Sequence, residues 1–118
     1  MSNAKRPEDL HKLFLDGVND KDVDALMALY EPGSVTLGLD GGRLADQAGL
    51  RAMLTGFVGM VDRLDGETRK VIVHGDYALM SATFNANGGA VSGTTGEVAR
   101  RQPDGTWRFL IDDPAFGP

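Results

Sequence analysis

The chain has 118 residues, 42% of them apolar and 25% charged, which suits one compact domain spanning residues 1–118 with a modest core. Its formal charge of −5 opposes binding to nucleic acid or anionic lipid, and the basic pairs Lys5-Arg6 and Arg100-Arg101 are too short to build a basic surface. Without cysteine there is no disulfide framework, no thiolate nucleophile and no cysteine-based zinc site. No apolar run approaches the roughly 18 residues of a membrane span, and the segment Met1 to Pro7 lacks the apolar centre of a signal peptide. A soluble cytoplasmic protein that binds neither membrane nor nucleic acid is the expectation.

The first predicted element is a helix. Leu10, Leu13, Phe14, Gly17 and Val18 recur at helical spacing after Pro7-Glu8-Asp9, where an early proline and two acids suit a helix N-terminus. Asn19-Asp20-Lys21 breaks the pattern, and Asp22 caps a second helix whose apolar side is Val23, Leu26, Met27 and Tyr30, ended by Pro32-Gly33. A strand over 35–39 then turns at Asp40-Gly41-Gly42 into a short partner at Arg43-Leu44. Leu50, Met53, Leu54 and Phe57 mark a third helix from Asp46 to about Gly59, weakened by Gly49 and Gly56.

Strands dominate the remainder. Val71-Ile72-Val73 centres one from Glu67 to His74, Gly75-Asp76 turns it, and Tyr77 to Ala86 follows. Asn87-Gly88-Gly89 leads into a glycine-dotted strand from Ala90 to Arg101, and Pro103-Asp104-Gly105 closes a hairpin with Trp107 to Asp112. Gly88, Gly89, Gly93 and Gly96 do not form a phosphate-cradling loop, because no strand there leads into a helix; they read as bends that curl the sheet. Helices first and long antiparallel strands afterwards predict an α+β fold with the helices on one sheet face.

The last hairpin holds the candidate chemistry, Glu97 on one strand and Asp112 on the other, and two registers are open. A four-residue connection, Pro103 to Thr106, sets Glu97 opposite Asp112, Ala99 opposite Leu110 and Arg101 opposite Arg108, so that two acids and two arginines share a face. Two carboxylates so close would repel, and one would keep its proton unless an arginine intervened. A three-residue connection, Pro103 to Gly105, sets Glu97 opposite Ile111 and sends Asp112 to the other face. The competing account of these acids is an ion-pair network with Arg100, Arg101 and Arg108, or a strand stop at Asp112-Asp113-Pro114. Tyr30 either presents its hydroxyl to a ligand or buries it against backbone. His11 and His74 are isolated and read as solvated or capping residues with no metal signature, and no Gly-x-Ser-x-Gly elbow supports a serine nucleophile.

Three stretches, Asn19 to Tyr30, Gly75 to Leu79 and Arg100 to Pro114, resemble the SnoaL-like branch of the nuclear-transport-factor-2-like superfamily, with relatives among the ketosteroid isomerases and limonene-epoxide hydrolases. The third stretch is similar to the ending of uncharacterised bacterial ketosteroid-isomerase homologues. The resemblance implies a cystatin-like, cone-shaped roll of three N-terminal helices on a strongly curved antiparallel sheet, with a pocket between them. It implies Glu97 and Asp112 as candidate catalytic acids and Tyr30, Phe14, Phe57, Ser81, Thr83, Asn85, Arg101 and Leu110 as candidate ligand contacts.

By the same match Ser81, Thr83 and Asn85 point into the cone, while Met80, Ala82, Phe84, Trp107, Phe109 and Ile111 face outward into a homodimer interface; the reverse assignment puts Trp107 in the core. Steroid isomerases use a tyrosine and an aspartate base, and the matched positions here hold Phe14 and Gly38, with Asp40 two residues on in a turn. The implied function is binding of a small organic molecule, with proton transfer as in an isomerase, cyclase or hydratase and no cofactor or metal. The alternative is a non-catalytic binding or dimerisation module whose pocket is filled.

Overall fold

In a computed structural model that describes residues 3–38, 40–44 and 46–117, an aspartate stands at the start of each α-helix. Asp9 opens α1 (Asp9–Asn19), where the positive end of the helix dipole favours it and Arg6 donates to its carboxylate. Asp22 caps α2 (Val23–Met27) by accepting from Ala25 N at 3.0 Å, and Asp46 caps α3 (Gln47–Met60) by accepting from Gly49 N at 2.8 Å. Among the described residues no helix is long and apolar enough to cross a membrane.

Six strands follow and interleave with these helices: β1 (Tyr30–Leu37), β2 (Arg43–Leu44), β3 (Leu64–His74), β4 (Tyr77–Ala86), β5 (Val91–Arg101) and β6 (Trp107–Gly117). Their order across the sheet is β2-β1-β6-β5-β4-β3. The curved sheet is mixed rather than wholly antiparallel, because β1 lies parallel to β6, the last strand to arrive.

Tyr30 corrects one expected boundary. The second helix stops at Met27, and Tyr30 begins β1 opposite Phe109, with Phe109 N donating to Leu29 O at 2.7 Å. Pro32-Gly33 does not end a helix but falls inside the strand, where pairing with β6 lapses between Tyr30 and Val35, so the missing proline N–H costs no ladder bond. Of the strand expected over 35–39, Val35 to Leu37 belong to β1 and Leu39 lies outside the described residues. Asp112-Asp113-Pro114 likewise does not stop β6, which continues to Gly117; Pro114 sits in a second lapse of register, between the pairs Gly96 with Asp113 and Thr94 with Gly117.

The core lies between the helices and the inner sheet face. Leu10, Leu26, Leu54, Met80, Trp107 and Phe109 are all buried in one cluster. Trp107 and Phe109 therefore do not face outward, and neither do Met80 and Ala82: the small or flexible series Ala78, Met80, Ala82 and Ala86 is the inner side of β4. The reason is physical, since the side of β4 that meets the helices must be apolar and the Ser81 series has polar groups that would be stranded there.

The outer face carries a different apolar set. Cross-strand partners Val35, Ile111, Val98, Leu79 and Ile72 form one row across five strands. Ile111 is 46%, Leu79 56% and Ile72 51% exposed, so this row is not covered within the chain.

Candidate functional site

Glu97 and Asp112 stand directly opposite one another, by a route neither expected register describes. Gln102 N donates to Thr106 O at 2.7 Å and Gly105 N to Gln102 O at 2.9 Å, with Gly105 at φ +84, so the connection is the three-residue one. Arg101 then faces Trp107 and Ala99 faces Phe109, rather than Arg108 and Leu110. Between Ala99 and Val98 the register slips by one, leaving Leu110 unpaired as a bulge, and beyond it Val98 meets Ile111 and Glu97 meets Asp112.

Both acids are buried against the helices, Glu97 at 3% and Asp112 at 9% exposure. Tyr30, delivered by the first residue of β1, donates its hydroxyl to Asp112 Oδ2 at 2.8 Å. On α1, His11 Nε2 lies 2.6 Å from Glu97 Oε1, and its Nδ1 lies 2.7 Å from Thr68 Oγ1 on β3. A carboxylate accepts only, so Nε2 carries a proton, and Thr68 either donates to Nδ1 of a neutral ring or accepts from an imidazolium. The remaining oxygens, Asp112 Oδ1 and Glu97 Oε2, accept no hydrogen bond from the described residues.

Burial pushes the Asp112 carboxyl up to about 7, with repulsion from Glu97 adding to the shift; the Tyr30 hydrogen bond and His11 pull the other way. Burial and then Asp112 push the Tyr30 hydroxyl well above its usual range, so it remains a donor. The arginines that could have neutralised the pair are engaged elsewhere. Arg100 grips Glu31 through Nε at 2.9 Å and a second guanidinium contact, and Arg101 binds Asp76 at 2.6 Å. The arginine network therefore does not account for Glu97 and Asp112.

These groups meet at a cavity of about 90 Å³ between α1, α3 and the inner sheet face. Phe14 and Phe57, with ring centroids 6.5 Å apart, wall one side, and Tyr30 and Phe109, 5.1 Å apart, another. Thr83 also lines it, as do His11, Glu67, Glu97 and Asp112. Other expected contacts lie outside. Ser81 donates to Thr95 O at 2.6 Å on the outer side, Asn85 is exposed, Arg101 is exposed beside Asp76, and Leu110 is the bulge residue. Asp40 closes its own turn by accepting from Gly42 N at 2.8 Å, away from the cavity. Among the described residues no cluster of three or more acidic or imidazole side chains is arranged to hold a metal ion.

His11 is the functional group that sequence reasoning passed over. It shares a helix side with Phe14, Leu15 and Val18 at spacings of three, four and seven. One polar residue in an otherwise apolar stripe is the signal that marks it.

A helix-backed, curved sheet enclosing an acid-floored apolar cavity defines a class of small α+β rolls. Residues 11–113 match the model of the SnoaL-like domain, and the chain belongs to that family. Three solved structures are similar to it. One is a proposed calcium/calmodulin-dependent protein kinase type II association domain from Thiobacillus denitrificans, 18% identical, covering 92% of this chain and 94% of that one with a TM-score of 0.76. A proposed dehydratase of the nuclear-transport-factor-2-like family from Streptomyces avermitilis is 18% identical, with 92% of each chain covered and a TM-score of 0.71. A ketosteroid isomerase-like protein from Erwinia carotovora atroseptica is 17% identical, with 94% of each chain covered and a TM-score of 0.72. At these identities the likeness is one of fold. No curated protein sequence matches the chain.

Proposed function

We propose that the cavity takes a small, largely apolar organic molecule and that Glu97 and Asp112 move protons to and from it, as in an isomerase, cyclase or dehydratase. The observation that carries this reading is the opposed, buried pair in unequal surroundings: Glu97 held by His11, Asp112 held by Tyr30 and pushed up to about 7. Two acids in unequal surroundings supply a base and an acid at one site. Glu97 Oε2 would remove a proton from a carbon next to a carbonyl while Asp112 donates its proton to the carbonyl oxygen, giving an enol. Return of that proton from Glu97 to another carbon, with the enol proton passing back to Asp112, completes an isomerisation; in a dehydration Asp112 gives its proton to the departing hydroxyl in place of the carbonyl oxygen. Phe14 and Gly38 stand where steroid isomerases carry their tyrosine and base, so the roles differ from that mechanism.

The test is hydrogen–deuterium exchange at the α-carbon of small cyclic ketones in D2O, followed by NMR. Wild type is expected to accelerate exchange, and Glu97→Gln or Asp112→Asn to lose it by roughly 100-fold or more. A wild-type rate equal to that of buffer would remove the catalytic reading and leave a binding module.

A second reading concerns partners. The exposed row of Val35, Ile111, Val98, Leu79 and Ile72 supports a homodimer through the outer sheet face, built on these residues rather than on Trp107 and Phe109.

A further inference from the structure

The cavity lining has a charge asymmetry. Among the described residues the lining holds two buried carboxylates, on Glu97 and Asp112, and neither lysine nor arginine. Its single imidazole, on His11, is already turned to Glu97 at 2.6 Å. An anionic ligand would find no cation to meet it and would approach a chain whose net charge is −5.

The aromatic content points the same way. Phe14, Tyr30, Phe57, Phe84 and Phe109 all line the cavity, five of the seven phenylalanine and tyrosine residues in the chain. Ring faces around a small cavity attract cations through their negative quadrupole, most strongly where water is excluded. Glu97 and Asp112 line the cavity and are more than nine-tenths buried, and one oxygen of each, Asp112 Oδ1 and Glu97 Oε2, has no hydrogen-bond donor among the described residues.

Resting on the binding role alone, since a carboxylate paired with an ammonium has no proton to donate, we infer that the ligand is an organic amine that binds as its ammonium form, its apolar body among Phe14, Phe57 and Phe84 and its charged nitrogen at Asp112 Oδ1. Asp112 supplies the counter-ion, since Glu97 already has His11. The groups facing Asp112 are Tyr30 from β1, Glu97 from β5, His11 from α1 and its neighbour Asp113 on β6. An ammonium placed among them stabilises the ionised carboxylate, so binding near neutral pH releases a proton.

The test uses two matched sets of probes, benzylamine with benzyl alcohol and benzoate, and isobutylamine with isobutanol and isobutyrate. Binding is measured by calorimetry in two buffers of different ionisation enthalpy, alongside thermal shift. The amine of at least one set is expected to bind about tenfold more tightly than its alcohol, to release a proton, and to leave the carboxylate probe without effect. Asp112→Asn is expected to erase the amine's advantage while the alcohol's affinity stays. In wild type the amine's advantage over its alcohol is expected to shrink from pH 8 to pH 6, where Asp112 keeps its proton, and this provides the check if Asp112→Asn does not fold. Alcohols binding as well as amines would overturn the amine inference and leave the binding role intact. No binding by any of the six probes would overturn both.

Discussion

Glu97 faces Asp112 across β5 and β6 because Leu110 is left over between them and the turn. The single unpaired residue converts a register that would have separated the two acids into one that opposes them. A bulge beside a pair of buried acids fits the common use of bulges to aim side chains at a site.

Asp112 makes stability fall with rising pH. Its folded value of about 7 lies above the ordinary 3.8, so the folded state retains a proton that the unfolded state has lost across that interval. The contribution is fully present below pH 3.8, fades as pH rises through about 7, and amounts to about 4 kcal/mol across the window. Asp112→Asn should therefore match or fall below wild type in stability near pH 4 and gain on it up to pH 7. Urea unfolding of both proteins at several pH values checks this, and parallel curves would refute it.

Tyr30→Phe removes the only hydrogen bond to the Asp112 carboxyl among the described residues. Because that bond favours the ionised carboxyl, its loss is expected to push Asp112 above about 7 and to cost about 1–3 kcal/mol at pH 8. NMR titration of the Asp112 carboxyl carbon reads the shift directly. An unchanged or lowered value would contradict the arrangement of charges described above.

His11→Ala leaves Glu97 buried at 3% exposure without its imidazole partner. The expected loss is on the order of 3 kcal/mol. Adding Glu97→Gln should restore part of it, because a neutral amide needs no counter-charge. A double-mutant cycle by chemical denaturation measures the coupling, and simple additivity would mean that His11 and Glu97 do not act as a pair.

Gly66 lines the cavity where β3 pairs with β4, opposite Phe84. A Cβ at this position would lie 2.5 Å from Thr83 O and 3.3 Å from Phe84 Cα, both backbone atoms that cannot swing aside. Gly66→Ala is expected to cost about 1–3 kcal/mol and to distort the cavity rim. Gly56, with open space around its Cβ position, is the control: alanine there should gain from helix propensity.

Leu79 sits in the exposed row, paired with Val98 on one side and Ile72 on the other. If the outer face joins two copies, Leu79→Asp should convert a dimer into a folded monomer, seen by light scattering and circular dichroism. A wild-type mass of one chain at 50 micromolar would count against the interface.

Element types were largely legible in the sequence, because apolar spacing and turn residues are local properties. Leu10, Phe14 and Val18 marked α1, and the Pro103-Asp104-Gly105 turn marked the last hairpin. Tyr30 escapes the local pattern because a tyrosine three residues after Met27 continues a helical stripe, whereas pairing with Phe109, distant in sequence, draws it into a strand. Ser81 and Asn85 lie on the side of β4 opposite to the one expected because alternation gives two faces without saying which one the helices cover.

Residue order alone was enough to determine an acidic chain without cysteine, an α+β order of elements, a tight final turn and two acids on its strands. Each depends on neighbours within a few positions. Only the tertiary structure decided that Leu110 bulges, that Glu97 and Asp112 thereby meet, and that His11 and Tyr30, 86 and 82 residues away from their partners, complete the pair. Those outcomes follow from packing helices onto a bent sheet. The free energy of burying Phe14, Phe57 and Phe109 is set by the whole assembly, and no window of sequence contains it.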